Sequence, residues 1–442
     1  MPKTIRIKRG LDIPLGGKAS DEVSQQTSKT YAIYPDDFPG PVWKALVKPD
    51  DKVEAGSPLF TDKSSGRIRL VSPVTGVIKE VNRGERRHVN YISIEADPSL
   101  TQATKLNIAV TSEEIKERLL ESGLWAMMRQ RPFDIVPDID TEPRDIFVTA
   151  FDSSPLAGEI LAIDDYGWME KGLEALKKLT KGSVYLGIRP GQGITSKVAD
   201  IFEFDGPHPA GNVGTQIAAI KPVNKGETVW TLDARTAVRI GKLCAGGIMD
   251  FETLVAVTGP MVKNPHLVKV IIGASIDCIL KGLLIQETGI RIISGNVLTG
   301  IKVDKGAYIR YPYRQITVIE EGDDADEFMG WASMSPSKFS VKRTFPAFLM
   351  GKSKPFNFDA RIKGGKRAMI ISGEYDKVFP FDIYPEYLLK AIMAKDIDRM
   401  EKLGIYEVAP EDFALPEFVD TSKQELQHTV REGLDYLRKE LS

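Results

Sequence analysis

A chain of 442 residues exceeds one ordinary domain, and 42% apolar with 27% charged side chains is a globular composition able to bury several cores. Lys plus Arg (59) nearly balances Asp plus Glu (61), so bulk charge gives no case for nucleic-acid binding. The two cysteines, Cys244 and Cys278, exclude a disulfide framework and fall short of the four thiolates of an iron–sulfur cluster. They fit a reducing, intracellular location. The first residues lack the apolar core of a signal peptide. The most apolar window, 268–285, is broken by Lys269, Asp277 and Lys281, so no membrane span is expected. A role in a membrane process would require docking on a partner.

Residues 1–98 read as all-β. Short β-rich runs at 68–71, 77–81 and 91–94 alternate with turn signals such as Lys48-Pro49-Asp50-Asp51 and Glu54-Ala55-Gly56. The segment 47–60, followed by 71–78, resembles a biotinyl/lipoyl-type barrel-sandwich module. In carrier versions a lysine at a hairpin tip bears the prosthetic group, and Lys63 falls near such a tip. It lacks the methionine neighbours of carriers, so a solvated turn lysine is the default reading. Arg83, Arg86, Arg87 and His88 form a basic run that could face an acidic partner, with a solvated face as the simpler account.

Residues 99–253 alternate helix and strand signals, the pattern of a βαβ sheet domain, here Rossmann-like. Thr111 and Glu114 have capping-box spacing ahead of Ile115 and Leu119, and Ser122-Gly123 ends that helix. The loop 123–134 carries Trp125, Met127, Met128, Arg129 and Arg131 before a strand at 146–151. It has the position of a nucleotide-binding loop without the glycines. A helix is expected at 167–179, and a strand at 183–188 runs into the glycine loop Arg189 to Gly193. A helix at 196–201 would make that loop a weak phosphate cradle, without G-x-G-x-x-G or a P-loop lysine. The segment 204–214 holds Pro207, His208, Pro209 and three glycines, an irregular loop with His208 held rigid. No second His or Cys stands near it to make a metal site. A strand at 228–232 follows, with Asp233 capping a helix from 234 to 243.

From 254 to 327 the pattern returns to β, with strands at 254–259, 267–272, 291–294, 307–310 and 315–319. One helix, at 275–284, carries Cys278 on its apolar face. A small sheet crossed by one helix is a β-grasp (soluble-ligand-binding-like) arrangement. Residues 328–442 begin with an apolar loop, Phe345 to Gly351, and continue as a C-terminal helical domain: 387–394, 397–403 and 422–441. Ser422 and Glu425 have capping-box spacing, and Leu426, Val430, Leu434, Leu437 and Leu441 form a packing stripe.

Together these segments resemble the A-subunit family of the sodium-translocating NADH:quinone reductase, a bacterial respiratory pump, over essentially the whole chain. The marks are residues 5–15, Gly123-Leu124-Trp125 with Arg131-Pro132-Phe133, the run 183–193, Gly206 to Gly211 and Ile371 to Pro380. That family is related to the electron-entry subunits of complex I and the Rnf pumps, which carry a glycine-rich flavin loop and cluster cysteines at the matching positions. Here Trp125 to Gln130 replaces the first, and 371–380 has no cysteine. The resemblance therefore implies a chain with no redox cofactor and no catalytic or metal-binding residue of its own.

It further implies a peripheral subunit on the cytoplasmic face of the bacterial inner membrane. Its partners would be the other subunits, the membrane-embedded B-subunit above all. NADH, FAD, FMN, iron–sulfur clusters and Na+ would be handled by those subunits, and ubiquinone or menaquinone is the ligand this chain could touch. His208, Pro209, Gly211, Phe345 and Phe348 are the quinone-proximal candidates. The alternatives are an independent nucleotide- or flavin-binding oxidoreductase using 183–193, and a carrier loaded on Lys63.

Overall fold

The computed structural model describes residues 2–97, 106–323, 338–343, 345–346, 349 and 354–441. Two small antiparallel sheets open the structure. One orders Thr30–Ile33, Val89–Ala96, Gly76–Arg83 and Lys52–Val53; the other orders Trp43–Ala45, Pro58–Asp62 and Arg69–Val71. Tyr31, Leu59, Phe60, Leu70, Ile78, Ile92 and Ile94 fill the space between them. The turn bearing Lys63 is built around Asp62, whose carboxylate accepts from Ser64 Oγ (2.7 Å), the Ser65 amide (2.6 Å) and the Ile68 amide (3.0 Å). Lys63 itself is exposed.

The second layer is a six-stranded sheet in the order Lys3–Arg6, Asp200–Asp205, Val184–Ile188, Asp145–Thr149, Val229–Asp233 and Arg129–Arg131, parallel except for the last strand. Its helices are α1 (Ser112–Glu121), α2 (Tyr166–Lys177), α3 (Val213–Ile220) and α4 (Ala234–Gly246). Alternation along Asp145–Thr149 covers both faces: Ile146 and Val148 join the large core beneath α2 and α4, while Phe147 meets Ile217 of α3. The expected helix starts are present. Thr111 and Glu114 form the capping box of α1, and the Asp233 carboxylate accepts the Thr236 amide at the head of α4.

The helix expected at 196–201 is not there. Ser196 Oγ accepts from the amides of Val198 and Ala199, closing a turn, and the chain then extends as Asp200–Asp205. That strand is wanted between Val184–Ile188 and Lys3–Arg6, a demand local sequence does not reveal.

The third sheet orders Ile301–Val303, Ile290–Ser294, Gln315–Glu320, Glu252–Thr258, His266–Ile271 and Val23–Gln25, with the short α5 (Ile276–Leu280) beside it. The strand expected at 307–310 reduces to one bridge, Tyr308 with Ser275, because Arg310 and Tyr311 turn their donors toward Asp37 instead. The last region packs α6 (Pro385–Met393), α7 (Ile397–Lys402), α8 (Ala414–Val419) and α9 (Leu426–Leu441) around Leu388, Ile392, Met400, Phe413, Val430, Leu434 and Leu437. The capping box expected at Ser422 does not form. The Ser422 amide donates to Asp420 and its hydroxyl to the Ala368 carbonyl, so α9 starts four residues later; Leu441 is exposed.

The first thirty residues do not stay with the barrel-sandwich sheets. Lys3–Arg6 edges the α/β sheet, Ile13 enters the helical core, Leu15 bridges Phe356, and Val23–Gln25 edges the third sheet. One extended segment thus touches every part of the fold.

The closest helix contact is made by glycines. A Cβ at Gly172 of α2 would lie 1.9 Å from the Ala237 carbonyl oxygen, and one at Gly241 of α4 would lie 1.9 Å from that of Trp168. Alanine at Gly241 would add about 1 kcal/mol of helix propensity. Overpacking against backbone costs about 1–3 kcal/mol, and backbone cannot swing aside as a side chain does. Gly241→Ala is therefore expected to lower the unfolding free energy in urea titration, against its propensity gain.

Candidate functional site

Open α/β sheets present ligands at the carboxyl ends of their parallel strands. Here a cavity of about 490 Å3 opens there, beside Thr149 and at Leu232 and Asp233. The third sheet closes it with Tyr311-Pro312-Tyr313, and the helical region with Pro410 and Glu411. Among the described residues, the cis X–Pro bonds are Arg131–Pro132, His208–Pro209 and Tyr311–Pro312, all on its margins.

One wall is cationic and aromatic. Arg310 Nε donates to Asp37 Oδ1 at 2.8 Å, the Tyr311 amide donates to Asp37 Oδ2 at 2.9 Å, and Arg314 Nη1 lies 2.6 Å from Asp233 Oδ2. Burial raises the Asp37 carboxyl above its usual range, against the pull of Arg310. At Asp233 the balance reverses: burial pushes up, but Arg314 and the Thr236 amide win and hold it low. Phe38 and Tyr311 stack at 4.9 Å, with the Arg129 guanidinium 5.9 and 5.7 Å from their ring centres. Arg129 is fixed by carbonyls, Nη2 donating to Asp37 O at 2.7 Å and Nη1 to Ala126 O at 3.0 Å. The Tyr311 hydroxyl donates to Met127 O at 2.7 Å, and burial pushes its pKa up to about 12.

The opposite wall is acidic and carries the candidates from the 204–214 loop. Asp134, Asp152, Glu411, His208 and Gly211 line it. The buried His208 donates its amide to Asp12 Oδ1 at 2.9 Å and accepts the Leu11 amide at its carbonyl, 2.8 Å. Ser153 Oγ accepts the Gly211 amide at 2.8 Å, so its own proton points to His208 Nδ1, 3.0 Å away. A Cβ at Gly211 would stand 2.6 Å from the Ser153 amide, which explains the glycine. Pro209 is buried just behind this loop. Phe345, also buried, packs under the Lys338 ammonium at 5.7 Å and does not line the cavity; Phe348 lies outside the described residues.

The loop 123–134 is the cavity's floor and is packed. Trp125, Ala126, Met127 and Met128 are buried, Trp125 stacks edge-on to Trp230 at 5.0 Å, and its Nε1 donates to Pro137 O at 2.9 Å. Arg131 is wholly buried, Nη1 donating to Asp412 Oδ2 at 2.8 Å and Nη2 to Glu411 Oε1 at 3.0 Å. The glycine loop 189–193 stands apart: nothing lies within 4 Å of a Cβ added at Gly191 or Gly193, and the loop leads to a strand. It therefore lacks the helix amino terminus a phosphate cradle needs.

Among the described residues no group of three His, Cys, Asp or Glu could hold a metal ion. Beside Ser153, burial pushes the His208 imidazole down to about 4, which makes it a weak base. Cys244 is buried, and burial pushes its thiol up to about 11, far from a nucleophile. What the arrangement offers is a rigid, aromatic-walled pocket with fixed donors.

Sequence reasoning missed Asp37, Arg310, Tyr311, Tyr313 and Arg314. The run Arg310-Tyr311-Pro312-Tyr313-Arg314, two cations framing two aromatics around a proline, was the available signal. His208 also makes stability depend on pH. Its folded pKa lies below the ordinary 6.5, so the unfolded chain takes up the proton first. Above pH 6.5 the group contributes no pH dependence; between 6.5 and about 4 stability is lost, about 3 kcal/mol in all. Urea titrations of the parent and His208→Gln across that window should show the parent losing stability faster by this amount.

Three family descriptions match the chain: the NqrA N-terminal barrel-sandwich hybrid domain over residues 5–97, the NqrA second alpha/beta domain over 110–249, and the NQRA C-terminal domain over 254–305. The A-subunit of the Na(+)-translocating NADH-quinone reductase of Neisseria meningitidis serogroup B is 35% identical, covering 99% of this chain and all of that protein. The A-subunit from Hahella chejuensis is 37% identical at the same coverage. Among solved structures, a chain of an NAD+-reducing [NiFe]-hydrogenase overlays at a TM-score of 0.36 and 11% identity, covering 74% of this chain and 61% of that one, too distant to carry an argument. Among the described residues no helix is long and apolar enough to cross a membrane. With three matched domains in order and relatives aligned end to end, the chain belongs to the A-subunit (NqrA) family of the Na(+)-translocating NADH-quinone reductase.

Proposed function

We propose that this chain is a peripheral, cofactor-free subunit that stabilises the membrane sector from the cytoplasmic face through the B-subunit, and that its central cavity takes the quinone headgroup. The second sheet reads as Rossmann-like, with parallel strands and helices on both faces, and the third as β-grasp-like. The reading of a lost flavin crevice is supported by Trp125, Met127 and Met128, which fill the ground below the cavity where accessible backbone amides would have to stand. Cys244 and Cys278 sit in different domains, which supports leaving cluster chemistry to other subunits.

The observation that carries the quinone reading is a pair of unused donors. Among the described residues Ser154 Oγ and Arg131 Nε are buried without a hydrogen-bond partner, and both residues line the cavity. A buried donor left unsatisfied costs about 1–3 kcal/mol, and a ligand with carbonyl acceptors would recover that cost. Phe151, Tyr311 and Tyr313 supply the apolar ring faces a flat headgroup needs.

The test is kinetic, in the assembled complex. Ser154→Ala and Tyr313→Ala should each raise the quinone KM about three- to tenfold, the worth of one hydrogen bond or ring contact. NADH oxidation with an artificial electron acceptor should not change. A quinone KM unaffected by both substitutions would remove the quinone from this cavity.

A further inference from the structure

The cavity at the carboxyl ends of the parallel strands is larger than one ring requires. A closed apolar cavity of about 150 Å3 already holds a benzene, and this one measures about 490 Å3. Its lining is also unevenly divided. Away from the carboxylates and guanidinium groups, the lining includes Gly158, Ile160, Leu254, Ala256 and Leu267. Glu159, also in the lining, is exposed and lies 3.2 Å from Arg189.

Strand register brings these apolar residues together. Ala256 stands opposite Leu267 in the antiparallel ladder, and Leu254 lies two residues before Ala256, so all three share one face of the third sheet. The loop 154–160, which follows the strand Asp145–Thr149, rests on that face. Gln315, beside Ala256 in the parallel ladder, donates from Nε2 to Pro155 O at 3.1 Å. A Cβ at Gly158 would stand 3.0 Å from Ala256 Cβ and 3.2 Å from Leu267 Cδ2, so glycine is what lets the loop come down on the sheet. The apolar ground ends at Leu254, where Lys269 stands opposite and pairs with Glu252 at 2.7 Å. From Ala256 to Leu254 it runs two residue steps, about 7 Å.

The loop that covers this ground begins at Ser154, whose buried Oγ has no hydrogen-bond partner among the described residues. A molecule with a carbonyl on its ring and an apolar chain beside it would satisfy both features at once. We propose that Leu254, Ala256 and Leu267, under the loop 154–160, form a subsite for the first isoprenoid unit of a prenylated quinone. The proposal rests on the reading of the cavity as a quinone-headgroup site and adds to it a determinant of preference for tailed over tailless quinones. A fatty acid is less well matched, since its carboxylate would share the cavity with Asp152 and Glu411.

The experiment measures quinone KM in the assembled complex with two substrates: ubiquinone bearing two isoprenoid units, and the same ring without a tail. Each methylene taken out of water is worth about fourfold in binding, so the parent should favour the tailed quinone. The readout is the ratio of the two KM values. Partition into detergent is the same for parent and variant and cancels from its change. In Leu254→Asn, at a half-buried position that tolerates a polar group, the preference should shrink about tenfold. Leu267→Ala should shrink it by a similar factor, and decides the matter if the first variant fails to assemble. Ser154→Ala should raise both KM values and leave their ratio as in the parent.

An unchanged ratio in the Leu254 and Leu267 variants, with both KM values raised by Ser154→Ala, overturns the subsite and leaves the headgroup reading standing. If Ser154→Ala and Tyr313→Ala move neither KM, the headgroup reading has failed and the subsite falls with it. The two failures are therefore told apart by the Ser154 variant.

Discussion

The ion pair between Arg131 and Asp412 is the constraint on which the rest of the structure depends. Neither side chain is more than 1% exposed, and the 2.8 Å contact joins the edge strand of the α/β sheet to the turn before α8. Burial raises the Asp412 carboxyl above its usual range against the pull of Arg131, while Asp412 in turn raises the guanidinium despite its own burial. Removing one partner from such a pair costs about 3–5 kcal/mol, because the other charge stays behind in a dry interior. The pair therefore fixes how sheet and helices meet. It also shapes the cavity, since Arg131, Glu411 and Pro410 are among its lining residues.

A second constraint works with the first. The segment from Lys3 to Gln25 is an extended strap rather than a domain. It donates an edge strand to two sheets and passes the cavity at Asp12, whose carboxylate holds the His208 amide. Sheets, helical region and cavity are thus tied by one buried charge pair and one strap. The cavity is thereby held among three parts of the fold, with residues of the α/β sheet, the third sheet and the helical region in its lining.

Much of this was legible in local sequence, and the parts that were not share a cause. The capping box at Thr111 and Glu114 and the Asp233 cap are short-range signals, and both appear where expected. So do α2, α4, α6 and α7 to within a residue or three, because their apolar spacing is set by the core they cover. The helix signal at 196–201 misleads because Asp200–Asp205 has a long-range role: it exists to pair with Val184–Ile188 and Lys3–Arg6. Ser422 has the spacing of a cap but spends its donors on Asp420 and Ala368. At the cavity, His208 and Gly211 announced themselves through prolines and glycines. Arg310 and Tyr311 did not, since only the fold brings Asp37 and Met127 to meet them.

We propose that this chain carries no redox cofactor of its own, with the buried Trp125, Met127 and Met128 filling the loop where a flavin would need open backbone amides. The most direct measurement is the flavin and iron content of this chain, purified in full length from cells that also make the rest of the complex. Neither flavin nor iron in stoichiometric amount is predicted, and no absorbance in the visible range. One flavin per chain, or a cluster's complement of iron, would contradict it.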